Sequence, residues 1–351
     1  MKTTLKLWIF LALSCFAYPA LQAQDIHSTN YQFAPLYLNP ANTGSFLGSY
    51  RVAGSARNQS QWITNPYERQ LVSLDAPLAY GFKKHHWIGA GISFYKDQAG
   101  DIGRTNTAIL FSGAYHWAFD TKYENVLTIG AQYSSVAMKA NNAEAARFDD
   151  TIFTGAESGD FPLINNLQSS YSGVNVGLLF TKKISKDQTW IIGAAAYHIL
   201  DEAFQFIPKA NSNPNPNPNQ GGYLNDLPLR LNFHTAYRAA LSKRFTIEPI
   251  AYFSIQETAT NINLQVHGEY FFNKENTTSL RFGLGYRVQD AMQLMLGGRY
   301  KKWILGAAYD LTVSSQAAYN QSFGGVEIGL YRIFTIFKKP KVEPSILCPR
   351  F

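Results

Sequence analysis

The stretch RLNFHTAYR, Arg230 to Arg238, alternates without a break. With the preceding residue included, Leu229, Leu231, Phe233, Thr235 and Tyr237 share one face, while Arg230, Asn232, His234, Ala236 and Arg238 share the other. Period two marks a strand whose successive side chains point to opposite sides of a sheet. A soluble sandwich would also alternate, so the decision rests on what surrounds this strand.

The same scheme recurs from about Tyr50 onward. In RFTIEPIAYFSIQ, Phe245, Ile247, Pro249, Ala251 and Phe253 oppose Thr246, Glu248, Tyr252 and Ser254. In NINLQVHGEYF, Ile262, Leu264, Val266, Gly268 and Tyr270 oppose Asn263, Gln265, His267 and Glu269. LRFGLGYRV and MQLMLGGRY repeat it, with Arg281, Arg287 and Arg299 on the polar side. These runs are about 9–13 residues, where ordinary strands run about 5–6. The polar face carries charges, which a packed core would not tolerate. Aromatic residues recur near strand ends, as at Trp87, Trp117, Trp190, Tyr197, Tyr270, Tyr300 and Trp303, in the manner of the girdles of a membrane barrel.

The expected fold is therefore all-β, a transmembrane antiparallel up-and-down β-barrel of about 14 strands. They fall near 50–58, 69–77, 86–96, 105–118, 124–137, 170–182, 188–198, 229–241, 243–256, 261–272, 278–288, 291–300, 302–313 and 324–334. Closure follows from the lack of water in lipid, where each unpaired backbone group costs several kcal/mol. The two longest connections, near 138–169 and 199–228, fall on one side, and most short ones on the other. That matches long extracellular loops and short periplasmic turns.

Residues 1–23 read as a signal peptide, with Lys2 and Lys6 ahead of an apolar core and a small-residue cut after Ala23. Cys15 fits the apolar core better than a lipidation signal. Cleavage would leave Cys348 as the only cysteine, with no internal disulfide and no cysteine metal site. Residues 24–49 then form an N-terminal mouth segment, 50–334 the barrel and 335–351 a periplasmic tail. No apolar run is long enough for a transmembrane helix. The formal charge of +7 falls to about +5 without the leader lysines and is spread along the chain, so no nucleic-acid partner is expected. Charged residues are only 16% of the chain and aromatics 15%, a balance suited to an apolar exterior.

Candidate chemistry concentrates on the polar face. Arg230, Arg238, Arg281, Arg287 and Arg299 gather against Glu248, Glu269 and Asp310. This can be a cationic surface for an anionic solute or partner, or a salt-bridge lattice that stiffens the wall. His234 and His267, with Glu248 and Glu269, can be read as a catalytic cluster or as polar groups satisfying one another. P-loop, dinucleotide, H-E-x-x-H and G-x-S-x-G motifs are absent, and no enzyme, cofactor or metal is expected. His85-His86 and Asp149-Asp150 fall short of metal signatures, and NSNPNPNPN, 211–219, reads as an exposed irregular tether.

One segment breaks the scheme. APLYLNPANTG, Ala34 to Gly44, is apolar yet interrupted by Pro35, Pro40 and turn residues. Leu36, Tyr37, Leu38, Asn39 and Pro40 are expected to pack against or into the periplasmic mouth, the alternative being a disordered linker.

The same segment begins a family resemblance. YQFAPLYLNPANTGS, YRVAGSARNQSQW, SLDAPL and the tail CPRF resemble the PorP/SprF family of Bacteroidetes outer-membrane proteins; Ser60-Gln61 departs from the compact Arg-Asn-Gln-Trp form. The resemblance implies an outer-membrane location and a part in type IX secretion and gliding motility. Implied partners are a secreted adhesin's C-terminal domain, docked, exported or anchored by the barrel, and periplasmic peptidoglycan-linked components. A porin with a cationic lumen is the competing reading.

Overall fold

A computed structural model describes residues 28–59, 67–78, 85–100, 103–140, 168–200, 204–205, 224–225, 227–273, 275, 277–315 and 317–336. Fourteen long strands form one closed antiparallel barrel. They are β1 (Tyr50–Gln59), β2 (Tyr67–Pro77), β3 (His86–Ala99), β4 (Arg104–Ala118), β5 (Asn125–Ala140), β6 (Gln168–Ser185) and β7 (Gln188–Tyr197). The second half comprises β8 (Arg230–Ala240), β9 (Phe245–Gln256), β10 (Ala259–Phe271), β11 (Thr278–Arg287), β12 (Ala291–Tyr300), β13 (Trp303–Thr312) and β14 (Phe323–Phe334). Phe204–Gln205 and Leu224–Asn225 make a separate two-residue pairing in the long β7–β8 connection. Among the described residues no helix is long and apolar enough to cross a membrane; the strands cross it.

Each strand pairs with its sequence neighbour, and β1 closes on β14 from Tyr50–Phe334 to Gln59–Gly325. Closure leaves no edge to face lipid. Alternation then sorts the side chains. On β4, Ile109, Phe111, Tyr115 and Trp117 are exposed to the bilayer, while Ala108, Leu110, Ser112 and His116 are buried in the lumen. An apolar exterior is the stable arrangement when the solvent is hydrocarbon.

Of the aromatic residues assigned to the girdles, Trp117, Trp190, Tyr270, Tyr300 and Trp303 face outward. Trp87 and Tyr197 do not: they are 0% and 3% exposed and point into the lumen. Their phase within β3 and β7 is the lumenal one, and each finds a polar partner inside. Trp87 Nε1–H donates to Gly44 O at 3.2 Å, and the Tyr197 hydroxyl donates to Tyr37 O at 2.8 Å.

Connections β2–β3, β4–β5, β6–β7, β8–β9, β10–β11 and β12–β13 lie on the same side as Tyr50 and Phe334 and are short. The opposite side carries the 141–167 and 198–229 connections. The turn side is accordingly periplasmic and the loop side extracellular. Residues 1–27, the Asn-Pro tract, Asp149-Asp150 and residues 337–351 lie outside the described residues.

Candidate functional site

The lumen is occupied by the chain's own residues 28–46. A 3₁₀ turn (Tyr31–Phe33), a one-turn helix α1 (Pro35–Leu38) and a second 3₁₀ turn (Pro40–Asn42) fold this segment into a compact rod. Pro35 and Pro40 each stand at the first helical position, where a missing N–H costs nothing. Asn39 Oδ1 accepts the Ala41 N–H at 2.9 Å and caps the second turn. The prolines and Asn that break strand periodicity thus build short helical turns.

The rod is dry and tightly seated. Leu36 and Phe33 are 0% exposed, and Leu38, Asn39 and Pro40 are buried, with Tyr37 half-buried. Phe33 packs with Ala53, Ile304 and Tyr331; Tyr31, Leu38 and Ala41 pack with Leu179, Ile191, Ala236 and Ile250. Ala34 and Tyr37 join Leu71, Tyr95, Leu110 and Val136. The lumen makes room with glycine. A Cβ on Gly130 would strike the Pro40–Ala41 backbone, one on Gly177 the Asn39 side chain, and one on Gly329 the Phe33 ring.

Polar groups fasten both ends. At the upper end, Glu327 accepts from Ser28 Oγ (2.6 Å), Thr29 N–H (2.7 Å) and Asn30 N–H (3.1 Å). The Thr29 hydroxyl donates to Asp310 Oδ1 at 2.7 Å and accepts from Arg57 at 3.1 Å and Arg287 at 3.0 Å. Arg57 also pairs with Asp310 at 2.7 Å and Glu327 at 3.3 Å, and Arg287 with Asp310 at 2.9 Å. At the lower end, Asp75 accepts the Gly44 N–H at 2.8 Å, and the His116 imidazole bonds Thr43 O at 2.9 Å. Gly44 has φ +68°, and a side chain there would collide with Gly89. Strand β1 follows directly.

The arginines of the second half form a separate lattice. Arg238 meets Glu269 at 2.7 Å and Glu248 at 3.6 Å; Arg281 meets Glu248 at 3.1 Å; Arg299 lies 3.8 Å from Glu269. Arg281 Nε–H donates to His267 Nδ1 at 3.1 Å, and His267 Nε2 bonds Gln265. His234 packs against Gly193. Among the described residues no cluster of His, Cys, Asp or Glu could hold a metal. Of the ten candidate lumen residues, Arg287 and Asp310 hold the plug's upper end, and Arg238, Glu248, His267, Glu269, Arg281 and Arg299 form the lattice. Sequence reading passed over Arg51, Arg57, Asp75 and Glu327. Their in-phase positions on the lumenal face of β1, β2 and β14 were the available signal.

Above the rod remains a vestibule of about 670 Å³, lined by residues at the loop-side strand ends. Its floor is Tyr37, and its walls carry Tyr67, Tyr95, Tyr197, Arg69 and Arg104. Arg230 lies over the rings of Tyr197 (4.2 Å) and Tyr37 (5.5 Å), cation–π contacts that hold the guanidinium in place. Arg69 lies 3.8 Å from Asp97. This is a polar-aromatic pocket facing the cell exterior.

Residues 20–330 match the family model of the type IX secretion system membrane protein PorP/SprF. No curated protein matches the chain. Among solved structures, the Ralstonia pickettii toluene transporter TbuX is 12% identical, covers 86% of this chain and 93% of its own, and superposes with a TM-score of 0.46. For the CymD monoaromatic hydrocarbon channel the values are 10%, 88%, 94% and 0.47. For the Pseudomonas putida toluene transporter TodX they are 12%, 88%, 94% and 0.44. Likeness at that level says nothing about what this chain binds or moves.

Proposed function

The chain belongs to the PorP/SprF family of type IX secretion system membrane proteins, and on that premise we propose that it is a plugged outer-membrane barrel that docks a secreted partner rather than passing solutes. The family is one of secretion-system membrane proteins, not of enzymes. The partner is the C-terminal domain of a secreted adhesin, received at the extracellular vestibule and the loops around it. The periplasmic turns and tail meet peptidoglycan-linked components of the secretion and gliding machinery.

One observation carries this reading. Residues 28–46 fill the lumen, and the vestibule above them is lined, among the described residues, largely by the loop-side ends of the strands. Most of the lumenal cationic charge is engaged within the protein, because Arg57, Arg238, Arg281, Arg287 and Arg299 face Glu248, Glu269, Asp310 and Glu327. The partner-binding role therefore passes from the buried lattice to Tyr67, Arg69, Arg104 and Arg230.

A photocrosslinking residue at Tyr67 or Arg104 tests it in intact cells. The expected product is a covalent adduct with one large secreted protein, identified by mass spectrometry. The paired change Tyr67→Ala with Arg104→Ala should lower surface display of that protein while the barrel still assembles. No adduct, or undiminished display, would overturn the proposal.

A further inference from the structure

The lipid-facing wall is not evenly covered. Across β6 to β11 lies an apolar groove of about 970 Å³, bordered by Ile184, Trp190, Tyr237, Pro249, Val266 and Tyr286, that runs from the periplasmic end of β6 toward the loop-side end of β11. Its floor is made by small residues: Thr235 of β8 stands opposite Ala251 of β9, while larger outward neighbours form the rims. The β8–β9 ladder runs to Ala236–Ile250 and resumes at Ala239–Ile247. The missing rungs flank Pro249, which has no N–H to donate.

The groove offers a ligand little polar purchase. Trp190 Nε1–H donates to Thr235 Oγ1 at 2.8 Å, and that hydroxyl donates to Ile191 O at 3.0 Å. Both strands beside it are paired, so no backbone edge is left to extend with a peptide. The complementary occupant is a flexible hydrocarbon chain.

Charge stands at the groove's periplasmic end. Lys182 lies on the outward face of β6, paired with Trp190 of the groove wall. Lys186 follows in the β6–β7 turn, and Lys243 and Arg244 form the β8–β9 turn. The two turns touch, through the Ala240 N–H donating to Asp187 O at 2.8 Å. Four exposed cations therefore sit with Asp187 where headgroups of the periplasmic leaflet lie, and Glu124 of the neighbouring turn, whose O accepts the Lys183 N–H at 2.7 Å, stands beside them.

We propose that this is a binding site for an anionic phospholipid of the periplasmic leaflet, with one acyl chain in the groove and the phosphate among Lys182, Lys186, Lys243 and Arg244. The site is independent of the docking function proposed above. It gives the barrel a lipid-selective face on a wall where the backbone ladder is interrupted.

Native mass spectrometry of the full-length detergent-purified protein, titrated with phosphatidylglycerol or phosphatidylethanolamine, tests the assignment. Phosphatidylglycerol adducts should form at about tenfold lower concentration. The triple change Lys182→Glu, Lys243→Glu, Arg244→Glu should erase that preference, whereas Lys301→Glu with Lys302→Glu in the β12–β13 turn should not. Ala251→Trp, which fills the groove from the lipid side, should weaken adducts of both lipids. Equal binding of the two lipids, a preference that survives charge reversal, or adducts indifferent to Ala251→Trp would each overturn the proposal.

Discussion

Arg51 and Asp75 form a buried two-pronged pair, Nε to Oδ1 and Nη2 to Oδ2, both at 2.9 Å. The pair joins β1 to β2 and also grips the plug. Asp75 accepts the Gly44 N–H, and Arg51 Nη2 donates to Asn42 O at 3.0 Å. Parallel N–H donation to a carboxylate fixes orientation as well as distance, so the hinge between rod and first strand is held in one geometry.

Asp75→Ala leaves a buried guanidinium without its carboxylate and should cost about 3–5 kcal/mol. Thermal unfolding in detergent measures the loss. Limited proteolysis should then cut within 28–46, where the wild type is protected. An unchanged melting temperature and cleavage pattern would mean that the pair does not hold the rod.

Gly130 faces the Pro40–Ala41 backbone with no space for a side chain. Gly130→Leu should displace the rod while leaving the strand ladder intact. In planar bilayers the wild type should be silent and this variant should carry a steady current. A large steady wild-type current would instead favour the solute-channel reading.

Glu269 accepts from Arg238 at 2.7 Å and from the Ser279 hydroxyl at 2.7 Å. Glu269→Ala leaves Arg238 with only the longer contact to Glu248 and takes the carboxylate from Arg299, and should destabilise the barrel by about 3–5 kcal/mol. Replacing both partners, Arg238→Met with Glu269→Met, should cost less than the sum of the single changes, because neither ion is left alone. Additive losses in a double-mutant cycle would show that the two do not couple.

Asp120, in the periplasmic β4–β5 turn, is held below the ordinary carboxylate pKa of 3.8. Burial pushes it upward, but donation from the Glu124, Asn125 and Lys122 N–H groups and the Asn125 side chain outweighs that. A depressed pKa stabilises the folded turn above about pH 4 and loses that stabilisation as the pH falls through the folded value. Protection factors for hydrogen exchange at residues 119–125, with the intrinsic pH dependence divided out, should fall at acid pH in the wild type. Asp120→Asn should exchange faster at neutral pH and respond less to acid.

Much of the barrel was legible in the chain itself. A side chain's face follows from counting by two along a strand, so the alternation in Arg230–Arg238 places His234 inside and Phe233 in lipid before any strand is paired. Fourteen such runs and their turns define the barrel, and membership of the family follows from short motifs. Counting by two along β3 and β7 puts Trp87 and Tyr197 inside, where both lie; nearness to a strand end, which says nothing about face, is what assigned them to the girdle.

Only the tertiary structure decided how the lumenal charges divide and where the irregular segment goes. Arg57 and Glu327 are 270 residues apart, yet they meet because β1 closes on β14. Thr29 reaches Asp310 and Glu327 because the rod runs the height of the lumen. Residues 28–46 have no period to read; their apolar content points to packing at the periplasmic mouth rather than to a linker, but not to a course through the lumen as far as Asp310 and Glu327. Their place follows from shape: glycines scattered over several strands come together, on closure, as a channel of matching width. Local sequence sets which way a side chain points, whereas the register and curvature of a closed sheet set what it points at.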